Sequence, residues 1–182
     1  MNITVFLGSE FGNDEKIKEA TRELGAWIAN AGHHLIYGGS ESGLMGLVAD
    51  SAMKNGGHVT GIEPKMFIEL DYQKEDLEEL IITEDMAERK SMMVELGDMF
   101  IALPGGTGTF EEIGEVMSRL ALKQTDAPLV LYNIDGFYDE LKVWLDRMIE
   151  KGFSNAERQK GIYFVSKLEE IKALAEKIKT GE

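Results

Sequence analysis

The chain has 182 residues, of which 43% are hydrophobic and 29% charged, and its net charge is −14. A chain of this length can bury a sizeable core in one domain, taken as residues 1–182. The absence of Cys excludes disulfides, thiolate metal sites and cysteine nucleophiles, and the acidic balance argues against nucleic-acid or anionic-membrane partners, which are held by Lys and Arg.

The first residues, Met1-Asn2-Ile3-Thr4-Val5, carry no basic leader before an apolar run. No apolar stretch approaches the roughly 20 residues of a membrane span, so a cytoplasmic protein without membrane contact is expected. Residues 3–7 read as the first strand. Residues 14–31 follow as a helix, with Ile17, Ala20, Leu24, Trp27, Ile28 and Ala31 at helical spacing. A strand over 35–37 runs into Gly38-Gly39, and a small-residue helix over 44–54 closes at Asn55-Gly56-Gly57. Residues 59–62 are a third strand, 63–77 an irregular charged excursion, and 80–83 a fourth strand. A helix over 85–96, a strand over 99–103 and a helix over 109–122 come next. The chain ends with a strand over 129–132, a helix over 138–151, a strand over 162–165 and a helix over 168–179.

Short apolar strands each followed by a helix predict a parallel sheet covered on both faces. Right-handed crossovers make this a doubly wound, Rossmann-like α/β fold. Such sheets bind ligands at the carboxyl ends of their strands. Three of the glycine clusters fall there: Gly8-Ser9, Gly38-Gly39, and Pro104-Gly105-Gly106-Thr107-Gly108-Thr109.

The 104–109 loop joins a strand to a helix, so its backbone N–H groups and the positive helix end suit an anion such as phosphate. It lacks the Gly-Lys-Ser/Thr of a Walker A loop and the third glycine of a Gly-x-Gly-x-x-Gly fingerprint. Glu112 lies three residues after Thr109, a spacing that equally suits a capping box. Facing a ribose instead, its carboxylate would stabilise developing positive charge. Arg89 and Lys90 interrupt an apolar stripe formed by Met86, Met93 and Leu96, and a cation on a core-facing stripe needs an anion. The alternative is an i, i+4 surface pair between Asp85 and Arg89. His33, His34 and His58 lack metal spacing and take no role, and Ser9 has no His–Asp relay.

Taken together, these residues resemble the Lonely Guy family of nucleoside-monophosphate phosphoribohydrolases, long mislabelled lysine decarboxylases. The resemblance runs through Leu7-Gly8-Ser9, Tyr37-Gly38-Gly39, Gly43-Leu44-Met45-Gly46, Met86 with Arg89-Lys90, and the Pro-Gly-Gly-x-Gly-Thr-x-x-Glu motif from Pro104 to Glu112. It continues at Asn133-Ile134-Asp135-Gly136-Phe137-Tyr138. It implies a homodimer, active without cofactor or metal, that hydrolyses the N-glycosidic bond of AMP or N6-modified AMP (a cytokinin riboside 5′-monophosphate). The products are free base and ribose 5-phosphate. On this resemblance Arg89 and Glu112 are catalytic. Gly8, Ser9, Asp71, Met86, Lys90, Gly105, Gly106, Thr107, Gly108, Thr109 and Ser118 bind the nucleotide.

The chain departs from the family at Ser40, where a third glycine is common, and at Ala87, where His is frequent. Asp71 and Ser118 stand where Glu and Thr are usual. Residues 118–124, which border the base pocket in the family, lack the usual Trp and Gln, so bare AMP is expected to serve better than a prenylated form. The rival expectation is a molybdenum-cofactor carrier, whose pterin ligand also ends in a phosphate. No Lys stands out as a site for pyridoxal phosphate.

Overall fold

The computed structural model describes residues 1–181. Its seven strands are β1 (Asn2–Phe6), β2 (His34–Tyr37), β3 (His58–Pro64), β4 (Glu79–Thr83), β5 (Met99–Ala102), β6 (Leu129–Tyr132) and β7 (Ile162–Val165). They form one parallel sheet in the order β4-β3-β2-β1-β5-β6-β7. The helices are α1 (Glu15–Asn30), α2 (Gly43–Lys54), α3 (Lys65–Ile68), α4 (Met86–Leu96), α5 (Thr107–Ala121), α6 (Asp139–Glu150) and α7 (Leu168–Thr180). The expected doubly wound α/β sheet is therefore present, with every strand where the apolar runs placed it.

Alternation along the strands builds two cores. Ile3, Val5, Leu35 and Ile101 face α1, α2 and α7, meeting Leu24, Ile28, Val48 and Ile171. Phe6, Ile36 and Phe100 face the other way, onto Met93 of α4 and Ile113 and Val116 of α5. Each such side chain contributes roughly 1.5–3 kcal/mol on burial, so the sheet is a firm platform for the loops at its ends. No helix among the described residues is long and apolar enough to cross a membrane.

The chain winds outward from β1 to β4, then returns to the other side of β1 to lay down β5 to β7. The strand order thus reverses between β1 and β5, and a crevice opens at their carboxyl ends. Gly8 and the 104–109 loop occupy it.

Two stretches differ from the sequence expectation. Helix α5 begins at Thr107, two residues earlier than expected, because Gly106 and not Thr109 is its N-cap. The 63–77 excursion is less irregular than its charges suggested. Strand β3 runs on to Pro64, α3 adds one turn, and Gln73 makes an antiparallel bridge to Ser40. The Lys74 amide donates to the Gly39 carbonyl at 2.9 Å, while its ammonium pairs with Asp50 at 2.7 Å and Asp76 at 2.9 Å. Lys74 thus ties the excursion to the β2–α2 turn through its amide and to α2 through its ammonium.

Candidate active site

The phosphate-type loop is held in place from below. Tyr138 Oη donates to the Leu103 carbonyl at 2.6 Å, just before Pro104. Asn133 in turn fixes Tyr138, accepting from its amide at 2.6 Å and donating to Asp139 at 2.7 Å. These bonds are the structural use of the Asn133–Tyr138 motif. Gly105 sits so close to the end of β1 that a Cβ there would lie 2.9 Å from the Gly8 amide nitrogen and 2.1 Å from Thr109 Oγ1. The two loops of the crevice therefore touch through backbone.

Gly106 and Gly108 have the opposite surroundings. A Cβ on either would meet nothing within 4 Å, so the space above the loop is open. No side chain caps α5. Helix geometry leaves the first N–H groups of α5 without an intrahelical partner, so they face the crevice with the positive end of the dipole. Beside them is a hollow of about 300 Å³ lined by Gly105, Gly106, Thr107, Phe110, Phe137 and Leu141.

Behind the loop lies a buried charge cluster. Arg89 is 6% exposed and Glu112 8%. Arg89 Nη1 donates to Glu112 Oε1 at 3.3 Å, Nε to the Ile62 carbonyl at 2.9 Å, and Nη2 to the Gly38 carbonyl at 3.2 Å. Neither local alternative from the sequence is realised. Asp85 does not pair with Arg89; it caps α4, accepting from the Ala87 and Glu88 amides at 2.9 Å. Thr109 is inside α5 and so cannot be its N-cap, and Glu112 is spent on Arg89. Gly38 is required by this arrangement, since a Cβ there would fall 2.1 Å from Arg89 Nη2.

Burial pushes the Glu112 carboxyl up to about 7, against the pull of Arg89. A second carboxyl, Glu63 at the end of β3, lies 4.0 Å from Arg89 Nε and is also pushed up to about 7 by burial. Sequence reasoning missed Glu63. A glutamate after an apolar strand reads as the start of a solvated loop; only the following Pro64, which favours extended backbone before it, hinted that the strand continues.

The remaining sequence candidates are spread more widely. Gly8 is buried against Gly105, whereas the Ser9 side chain is exposed. Thr107, Gly108 and Thr109 form the first turn of α5, and Met86 opens α4, half-buried. Lys90 is paired with Glu111. Asp71 is exposed in the turn after α3, with a left-handed φ of 57°. Ser118 is six residues beyond Glu112, about 9 Å down α5. It lines a separate hollow of about 370 Å³ with Phe110, Met117, Trp144 and Phe153.

The family described as "Possible lysine decarboxylase" matches residues 45–175. The chain is 40% identical over 151 residues to the Arabidopsis thaliana cytokinin riboside 5′-monophosphate phosphoribohydrolase LOG1, covering 83% of this chain and 71% of the relative. A second Arabidopsis thaliana phosphoribohydrolase of that name, LOG3, is 37% identical over 185 residues, covering 98% and 86%. Among solved structures, the molybdenum cofactor binding protein of Rippkaea orientalis superposes with a TM-score of 0.74 at 24% identity, over 97% of this chain and 96% of that one. At that identity the likeness establishes the fold alone. The fold, the loop and the two relatives together place the chain in the Lonely Guy family of phosphoribohydrolases, enzymes that hydrolyse N-glycosidic bonds.

Proposed function

We propose that this protein hydrolyses the N-glycosidic bond of AMP or an N6-modified AMP, releasing free base and ribose 5-phosphate. The observation that carries the reading is the buried Arg89–Glu112 pair set directly behind an uncapped helix N-terminus. The loop anchors the 5′-phosphate through backbone N–H groups, and that binding energy orients the ribose toward Glu112.

Breaking the bond from C1′ to the base nitrogen develops oxocarbenium character on the ribose. The Glu112 carboxylate stabilises that charge and takes a proton from the water that adds to C1′. The electron pair of the broken bond leaves with the base, which gains a proton from Glu112 or solvent. A carboxyl held near neutrality suits this role, because it both accepts and returns a proton at working pH. Arg89 keeps Glu112 in place and offers positive charge to the departing base. Lys90 and the Gly8-Ser9 turn flank the nucleotide.

The whole chain acts as one domain in the cytoplasm, and a second copy covers the apolar face of α5 and α6. Phe153, in the turn just after α6, is 81% exposed, beside Phe110 and Trp144, which are about half exposed. A patch of this kind supports a homodimer.

The test is to incubate the protein with AMP, isopentenyl-AMP and adenosine separately and to follow free base by chromatography. Base release is expected from at least one nucleotide and little from adenosine, which lacks the phosphate. Nucleotide binding with no release from any of the three would replace this reading with that of a carrier.

A further inference from the structure

Glu63 is unused once the hydrolytic pair is assembled. It is the last residue but one of β3, opposite Ile82, is 1% exposed, and lies so near the β2–α2 turn that a Cβ on Gly39 would come within 2.5 Å of its Cγ. Its carboxylate is 4.0 Å from Arg89 Nε, yet that N–H is already donated to the Ile62 carbonyl. The other two guanidinium nitrogens serve Glu112 and the Gly38 carbonyl. Glu63 is thus a second carboxyl beside one cation without a hydrogen bond from it. Among the described residues its Oε2 has no hydrogen-bond partner.

The groups facing Glu63 are few. Arg89 comes from α4, Glu112 from α5, and the buried Tyr37 hydroxyl from β2; Gly39 offers only backbone. One positive charge therefore stands against two buried carboxyls. With both ionised, a net negative charge would remain out of water, which is costly; a single proton removes it. Glu112, with the direct ion pair, is the better-stabilised anion. The proton then belongs on Glu63.

We propose that Glu63 is a positioning residue that holds this proton, leaving Arg89 free to pair with Glu112, and that losing it draws Arg89 away and switches the site off. The inference rests on the hydrolase reading above. The two carboxyls titrate as a pair, so the rate rises with pH as Glu112 ionises and falls at higher pH as Glu63 follows. Burial, opposed by Arg89 and reinforced by Glu112, sets that second step near neutrality.

Two measurements test this. The first is kcat/KM against pH for the wild type and Glu63→Gln, which carries a permanently neutral side chain of the same shape. The wild type is expected to lose about tenfold per pH unit on the alkaline side, and Glu63→Gln to lose that limb. An unchanged alkaline limb in the variant, or an equal loss at every pH, would overturn the proposal. The second is carbon-13 NMR of the glutamate carboxyls in the wild-type protein, which needs neither turnover nor a stable variant. Glu63 is expected to titrate near neutrality; titration below about pH 5 would overturn the proposal. If the wild type releases no base, the hydrolase reading fails, and the NMR still decides whether Glu63 holds the proton.

Discussion

The two rims of the crevice are made of different materials. The β1–β5 rim is backbone: glycines, free amides and a helix end, pinned by Tyr138 and open above Gly106 and Gly108. The β2–β3 rim is charge: Arg89, Glu112 and Glu63, contributed by three elements and withdrawn from water. A backbone rim costs little to build and recognises any suitably placed anion. A buried cluster of this kind stands only while its charges balance, and it carries the chemistry. Changes on the first rim should therefore alter affinity, and changes on the second should alter stability and turnover together.

The largest break in that comparison comes from Arg89→Ala. It leaves two buried carboxyls without their cation. Equilibrium unfolding at pH 8 should show a loss of about 3–5 kcal/mol, with base release falling below detection. Wild-type stability in that variant would mean that the cluster is solvated.

A pair of glycine variants sharpens the contrast. Gly38→Ala puts a Cβ 2.1 Å from Arg89 Nη2 and 2.9 Å from Met45 Sδ, so it displaces the guanidinium. The turnover number should drop about 100-fold, since small displacements of catalytic groups cost that much. Gly108→Ala meets nothing within 4 Å and lies in a helix, where Ala is favoured. It should keep or slightly raise the melting temperature while weakening AMP binding about tenfold as the methyl crowds the phosphate. The contrast fails if both variants change the same quantity.

The smallest effect is in stability against pH. Glu63 and Glu112 are raised from an ordinary 4.5 to about 7 in the folded chain. The folded state thus binds more protons than the unfolded one between those values. The stabilisation is complete below about 4.5 and is lost as pH rises to about 7. Glu63→Gln removes one titrating group, and the decline should flatten by about 1–3 kcal/mol in urea unfolding at pH 5 and pH 8.

The backbone rim was legible in the sequence because glycine density and strand–loop–helix order are local signals. Arg89 was legible as a cation misplaced on the apolar stripe of Met86, Met93 and Leu96, and Glu112 through its motif spacing. Their partnership came only from the family resemblance, since local rules offered Asp85 and Thr109 as nearer partners. Those rules lost because Asp85 caps α4 and α5 starts at Thr107. Glu63 was invisible for the opposite reason: nothing local marks a charged residue for burial when its partner is 26 positions away. Ser118 and Asp71, carried over from the family motif, lie away from this cluster within the chain. One lines a different hollow and the other is exposed in a left-handed turn.

The most direct measurement of the central claim sets Glu112→Gln beside the wild type, following AMP binding by calorimetry and base release by chromatography. The account predicts AMP affinity within about threefold of wild type and base release reduced at least about 1000-fold. Wild-type turnover in Glu112→Gln would contradict it.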